Sequence, residues 1–184
     1  MDTMKYLETA VSKDPSRYNM CSIYRDTDCM VATDGYRLHM VSGLPKIDKP
    51  HLLDGTDAQF PDYTVVIPQS TQRLVSIRLD KKQLKALKEY VTFTGKATVS
   101  RLTIDESGVL FSAAVGNITA SILIEVKEFY NRQGATGLKA SQFLEALIPD
   151  CLMTIETSTK EHGPMVIESP MHNTKAIVMP CRLD

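Results

Sequence analysis

No run of apolar residues in the 184-residue chain approaches the ~18–20 needed to cross a bilayer as a helix, so a membrane-spanning protein is not expected. Met1-Asp2-Thr3-Met4-Lys5 lacks the basic-then-apolar order of a secretory leader, and the expected compartment is the cytoplasm. Cysteine is scarce: Cys21, Cys29, Cys151 and Cys181 form no Cys-x-x-Cys pair, and in a reducing compartment they are expected to be small buried apolar side chains. His39, His51, His162 and His172 are equally isolated, which excludes a recognisable zinc motif. The formal charge is −1, so no bulk electrostatic signature of tight nucleic-acid binding is present; a protein that only surrounds DNA could still confine its basic residues to one face.

Catalytic patterns are missing as well. There is no Gly-x-Ser-x-Gly, no His-Glu-x-x-His, no phosphate-binding glycine loop and no convincing pair of carboxylates. Asp34 and Asp62 sit in turn-like segments, where aspartate is favoured for bonding to its own backbone. Neither an enzyme nor a bound cofactor or metal is expected.

What is present is an internal repeat. Val75-Ser76-Ile77-Arg78-Leu79 alternates like a half-buried strand, and Asp80 sits where it can cap a helix beginning at Lys81. Strand-like runs follow at Thr98 to Ile104, Val109 to Ala113 and Thr119 to Val126, the first two joined by Asp105-Glu106-Ser107-Gly108. The order then recurs: a short strand at Gly137 to Ala140, a helix capped by Ser141 and stopped by Pro149, and strands at Leu152 to Thr157, Met165 to Glu168 and Ala176 to Met179. The predicted turn of that unit is Glu161-His162-Gly163-Pro164. Gln83-Leu84-Lys85-Ala86-Leu87 and Phe143-Leu144-Glu145-Ala146-Leu147 occupy matching places in two β-α-β-β-β units.

The amino-terminal stretch reads as a third, incomplete unit. Its helix would turn Met4, Leu7 and Val11 inward, with strands at Met20 to Tyr24, Cys29 to Thr33 and Leu38 to Ser42. From Leu44 to Asp62 the periodicity fails among Pro45, Pro50, Gly55 and Pro61, which predicts a polar linker and a boundary near Pro68 to Thr71. The expected fold class is α+β, repeated β-α-β-β-β units with helices on one face of antiparallel sheets. The expected domains are 1–70, a partial one with the linker, and 71–184, a complete one.

Two segments carry more than architecture: Met30-Val31-Ala32-Thr33-Asp34-Gly35-Tyr36-Arg37-Leu38 and the final Ala176-Ile177-Val178-Met179-Pro180-Cys181-Arg182-Leu183. Together, in this order, they resemble bacterial DNA sliding clamps, the processivity subunit of the replicative polymerase. That family carries Ala-Thr-Asp-Gly-His-Arg-Leu in its middle domain and ends in Val-Met-Pro-x-Arg-Leu. Phe60-Pro61-Asp62-Tyr63 with Val66-Ile67-Pro68, Arg17-Tyr18-Asn19-Met20, and Gly163 to Glu168 also match, in the family's order. Tyr36 stands where the family usually has His, Cys181 where it often has Met, and Asp184 follows the terminal Leu. The resemblance spans nearly the whole chain and implies a shortened clamp, with residues 1–70 like part of the middle domain and 71–184 like the last domain.

The resemblance implies a groove that receives short peptides from polymerases, the clamp loader and repair proteins. One wall would be Met20, Thr33, Gly35, Tyr36, Arg37 and Leu38. Pro68 would lie at the junction, and Pro164, Ile177, Met179, Pro180, Cys181, Arg182 and Leu183 would face them. It also implies a homo-oligomer around double-stranded DNA. Lys81, Lys85 and Lys88 share a helix face, with Lys82 nearby, that would look into the ring; from the residues alone, the same face is equally an ordinary solvated surface. Two functions stay open: a clamp that tethers proteins to DNA, and an adaptor or decoy that captures clamp-binding peptides without encircling DNA.

Overall fold

The computed structural model describes residues 1–159 and 163–183; Glu161 and His162 of the predicted turn lie outside the described residues. Among the described residues, two antiparallel sheets and three α-helices make up the fold. The strands are β1 (Tyr24–Arg25), β2 (Met30–Thr33), β3 (Arg37–Val41), β4 (His51–Leu52), β5 (Thr71–Ile77), β6 (Val99–Asp105), β7 (Gly108–Val115), β8 (Ile118–Ile124), β9 (Glu128–Phe129), β10 (Gln133–Lys139), β11 (Met153–Ser158), β12 (Met165–Ser169) and β13 (Thr174–Val178). The helices are α1 (Thr3–Glu8), α2 (Lys81–Thr94) and α3 (Ala140–Ala146).

The two repeats are intertwined rather than stacked. One sheet runs β10-β6-β7-β8 and the other β4-β1-β2-β3-β13-β12-β11-β5-β9. The first strand of each repeat therefore leaves its own unit and joins the other: β5 pairs with β11, and β10 pairs with β6. Each helix follows the exchanged strand, so α2 and α3 are brought together over a shared core, where Phe111 and Phe143 meet edge to face at 4.9 Å. Both rings are fully buried, and each contributes roughly 1.5–3 kcal/mol of burial free energy.

The boundary of α2 follows from its sequence. Asp80 accepts a hydrogen bond from the Gln83 backbone N–H, and the Gln83 side chain accepts one from the Asp80 N–H, which satisfies two donors that a helix start leaves free. Leu84, Leu87 and Val91 face the core as the periodicity predicts, joined by Tyr90. At α3 the cap is Lys139; Ser141 lies inside the helix and its hydroxyl donates instead to the Lys96 carbonyl at 2.8 Å.

The amino-terminal unit departs further from expectation. The helix is only six residues long, so Val11 falls beyond it and Met4 is exposed, while Tyr6, Leu7 and Ala10 point inward. Tyr6 is drawn in by stacking on the buried His39 ring, centroids 4.5 Å apart. Of the strand expected at Met20 to Tyr24 only Tyr24 lies in one, β1; Met20 instead ends a 3-10 turn over Pro15–Met20, opened by Asp14, whose carboxylate accepts the Ser16 N–H. This unit joins the rest through antiparallel pairing of β3 with β13, in which Leu38 lies opposite Ile177 and His39 opposite Ala176.

The stretch read as a polar linker is a packed strap. It contributes β4 and lays Phe60 flat on Tyr24 at 4.8 Å, and the 3-10 turn at Tyr63–Val66 that follows completes the strap. Beneath it lies a second apolar cluster of Cys29, Val31, Leu38, Leu52, Phe60 and Ile177. β13 is consequently covered on both faces, with Ala176 and Val178 on the main core and Ile177 on this one.

Candidate functional site

The Thr-Asp-Gly-Tyr-Arg segment is the turn between β2 and β3. Asp34 Oδ1 accepts the backbone N–H groups of Tyr36 and Arg37 at 2.9 and 3.1 Å, and the Thr33 hydroxyl accepts the Gly35 N–H and donates to the Arg37 carbonyl. Gly35 adopts φ +87°, a conformation that calls for glycine; a Cβ there would meet only the movable end of a long side chain, Arg17 Nη1 at 2.6 Å. Arg17 uses that access to donate to the Asp34 carbonyl at 2.6 Å.

Arg37 ties three elements together. It pairs with Asp34 at 3.1 Å and with Glu145 of α3, and it donates to the Thr9 carbonyl at the end of α1. The carboxy-terminal end of β13 is fixed to this turn by the Met179 N–H, which donates to the Tyr36 carbonyl at 3.0 Å.

Between these parts and the strap lies a cleft of about 150 Å³, lined by Met20, Thr33, Gly35, Arg37, Leu38, Pro61, Asp62, Tyr63, Val66, Ile177 and Met179. Its polar side chains are already engaged. Thr33 and Arg37 bond as above, Asp62 caps the turn by accepting the Thr64 N–H, and the Tyr63 hydroxyl donates to Asp26 at 2.6 Å. Burial, followed by the bond to Asp26, pushes the Tyr63 phenol up, and that same bond holds Asp26 below the usual carboxylate range. What the cleft offers a ligand is therefore an apolar surface of Met, Leu, Ile, Val and Pro, with a glycine backbone at one edge.

Of the residues singled out in sequence, Met20, Thr33, Gly35, Arg37, Leu38, Ile177 and Met179 converge on this cleft. Tyr36 is not among the lining residues, though its carbonyl bonds to the backbone of Met179, which is. The others lie elsewhere. Arg182 and Leu183 line a hollow on the four-stranded sheet with Val99, Arg101 and Thr119. Pro180 lines another hollow, beside Gln133 to Thr136, and Cys181 bridges to Gly137 at the edge strand β10. Pro68 and Pro164 line none of these hollows. Pro61, Asp62, Tyr63 and Val66 were not singled out as lining; the aromatic pair Phe60 and Tyr63 inside a polar stretch was the available signal.

Lys81, Lys82, Lys85 and Lys88 are all exposed on α2, and Lys85 makes an open contact with Glu89 at 3.8 Å. Cys151 and His172, unconnected in sequence, meet at 2.9 Å, yet no group of three metal-capable side chains occurs among the described residues. No helix among them is long and apolar enough to cross a membrane.

No protein-family model and no curated protein sequence matches the chain. Solved structures do match: the chain has the fold of bacterial DNA sliding clamps, the β subunits of DNA polymerase III. It is similar to the β sliding clamp of C. crescentus at 17% identity and TM-score 0.75, covering 98% of this chain and 62% of that one. The Borrelia burgdorferi DNA polymerase III β subunit matches at 14% identity and TM-score 0.81, and the Bacillus subtilis clamp at 15% and 0.76; each match covers 98% of this chain and 61% of the other. The chain thus spans about three fifths of the length of the clamps it resembles.

Proposed function

We propose that this protein is a non-enzymatic, clamp-like processivity factor that holds polymerase and other replication or repair proteins at DNA through short peptides docked in the cleft. The observation that carries this reading is the cleft itself: an apolar hollow between the paired strands β3 and β13, joined at Tyr36 and Met179, and the strap over them, in a fold shared with bacterial sliding clamps. Burying one Leu or Phe anchor is worth roughly 1.5–3 kcal/mol, so two anchors give about micromolar affinity after ordering costs. Exchangeable binding of that strength suits a shared docking site.

In this proposal residues 1–70 act as a partial clamp domain and residues 71–184 as a complete one. The working form is a cytoplasmic homo-oligomer around double-stranded DNA, and the lysine face of α2 meets phosphates without sequence readout. The test is direct titration of a labelled Gln-Leu-x-Leu-Phe peptide, with retention on circular DNA measured before and after the circle is cut. Saturable peptide binding and loss of retention on cutting support the clamp. Peptide binding without topology-dependent retention leaves the adaptor reading, and no peptide binding at all defeats both.

A further inference from the structure

The larger sheet repeats itself about the β3–β13 ladder, with β1-β2-β3 on one side and β13-β12-β11 on the other. Each half carries its own helix, α1 packed on β2 and β3, and α3 packed on β13. The carboxy-terminal half is covered by a second unit: α2 lies on β7 and β8, and α2 and α3 meet over the shared core of Phe111 and Phe143. Among the described residues, no helix packs on α1 as α2 packs on α3.

The face of α1 that is left open is apolar at its centre and charged beside it. Tyr6, Leu7 and Ala10 turn into the core, which puts Met4, Lys5 and Glu8 on the outer side. Met4 is 40% exposed, and Leu53, held alongside by the bond from its N–H to the Ile23 carbonyl, is 42% exposed. With Val11 and Ile23 they line an open hollow of about 330 Å³. Lys5 and Glu8 stand one turn apart, and neither makes an ion pair among the described residues.

We propose that a second copy of this chain sets its own amino-terminal unit on this face, about a two-fold axis, so that two partial domains form one domain between them. The chain itself shows what covers a unit of this plan, since α3 and its strands are covered by another helix-bearing unit. Those two units already cover each other. The remaining unit with its helix face open is the amino-terminal one, and a second copy supplies it. The face is self-complementary, as a two-fold contact requires. An antiparallel α1 brings Lys5 of each copy to Glu8 of the other, around a centre of Met4 and Leu53 from both, where flexible Met side chains can fit one another. This contact lies away from the peptide cleft and rests only on the homo-oligomer of the proposed function, to which it assigns a surface.

The test is the mass of the native protein by light scattering at micromolar concentration, compared with that of three variants. The native protein is expected at twice the 20.5 kDa of one chain, or at a multiple of that pair. Met4→Asp with Leu53→Asp should halve the mass and raise the dissociation constant about a hundredfold, because apolar surface is lost from both copies. Lys5→Glu should raise it about tenfold, and Lys5→Glu with Glu8→Lys, which restores opposite charges across the axis, should return it to within about threefold of native. These positions are exposed, and an acidic side chain suits the first helical turn that Met4 occupies, so the unfolding midpoint should hold. A native monomer would overturn the contact and the homo-oligomer with it. An oligomer of unchanged mass in Met4→Asp with Leu53→Asp would overturn the contact alone and place the assembly on another face. A double charge exchange no tighter than Lys5→Glu would overturn it as well, since α1 would then not meet its own copy.

Discussion

Leu38 and Ile177 face one another across the β3–β13 ladder, and together they form the floor of the cleft and part of its supporting core. The same pair thus joins the amino-terminal unit to the last strand of the chain and presents the apolar surface. Stability and ligand binding are coupled at this point, whereas at Met179, which is 36% exposed, they separate.

That separation predicts two different mutant behaviours. Ile177→Ala deletes a buried side chain and should cost about 2–5 kcal/mol of unfolding free energy, read as a lower midpoint in urea. Met179→Ala should leave the midpoint within about 0.5 kcal/mol and weaken peptide binding about tenfold, since it removes surface from a half-open wall. Leu183→Ala should change peptide affinity little, because Leu183 lines the hollow on the other sheet. Equal losses at Leu183 and Met179 would move the binding surface away from the cleft.

His39 predicts a pH effect. Burial holds its ring neutral and lowers its pKa to about 4, and Nε2 has no hydrogen-bond partner among the described residues while Nδ1 lies 3.0 Å from the Tyr6 carbonyl. The unfolded chain, with a histidine pKa near 6.5, binds the proton more readily than the folded one between pH 4 and 6.5. Folding stability should therefore be fully present above about pH 6.5 and fall as the pH drops toward 4, by an amount on the order of 3 kcal/mol. Below that the loss levels off. Denaturation of His39→Asn should lack this component; a native profile that runs parallel to the variant's across the window would show that the buried ring does not act this way.

The helix boundary and the two hairpin walls were legible in the sequence because their causes are local. Asp80 and Gln83 cap α2 from within four residues, and Thr33, Asp34 and Gly35 shape their turn from within the turn. Leu38 and Ile177 could be placed opposite one another only through resemblance, since their register depends on strands far apart in the chain. The strap escaped notice for a physical reason: proline and glycine mark the loss of regular backbone, and they say nothing about whether the irregular segment is packed. Phe60 on Tyr24 and the Tyr63 bond to Asp26 are what seat it, and neither contact leaves a periodic trace. Arg37 was placed at the cleft, but its bond to Glu145 joins β3 to α3, which meet because α3 packs on β13 and β13 pairs with β3.

The strap's seating predicts a change in the cleft without a change in its sheet walls. Tyr63→Phe removes the hydroxyl that donates to Asp26 at 2.6 Å, leaving a half-buried carboxylate with its Thr27 bonds alone. A hydrogen bond to a charged group contributes about 1.5–3 kcal/mol, so the variant should be destabilised by that order. Amide exchange should rise at Phe60 to Val66, with protection in β3 and β13 unchanged. Uniform loss of protection across the sheet would mean that the strap and the sheet open as one unit.

The lysine face of α2 sets the last expectation. Replacing Lys81, Lys82, Lys85 and Lys88 by Glu converts four exposed cations into four anions on a helix whose buried side, Leu84, Leu87 and Val91, is untouched. The fold should survive, with a small cost from lysines now made like-charged with Glu89. DNA association measured at low salt should drop steeply, and the slope of log affinity against log salt should flatten, because fewer counterions are released. Peptide affinity should hold, since the cleft is lined by residues of β3, β13 and the strap rather than by α2. If the quadruple variant keeps the native salt slope, these lysines do not meet DNA and the phosphate contacts must come from another face. If peptide binding collapses together with DNA association while the helix signal persists, the two surfaces are linked, and the division of labour between a gripping face and a docking cleft is wrong.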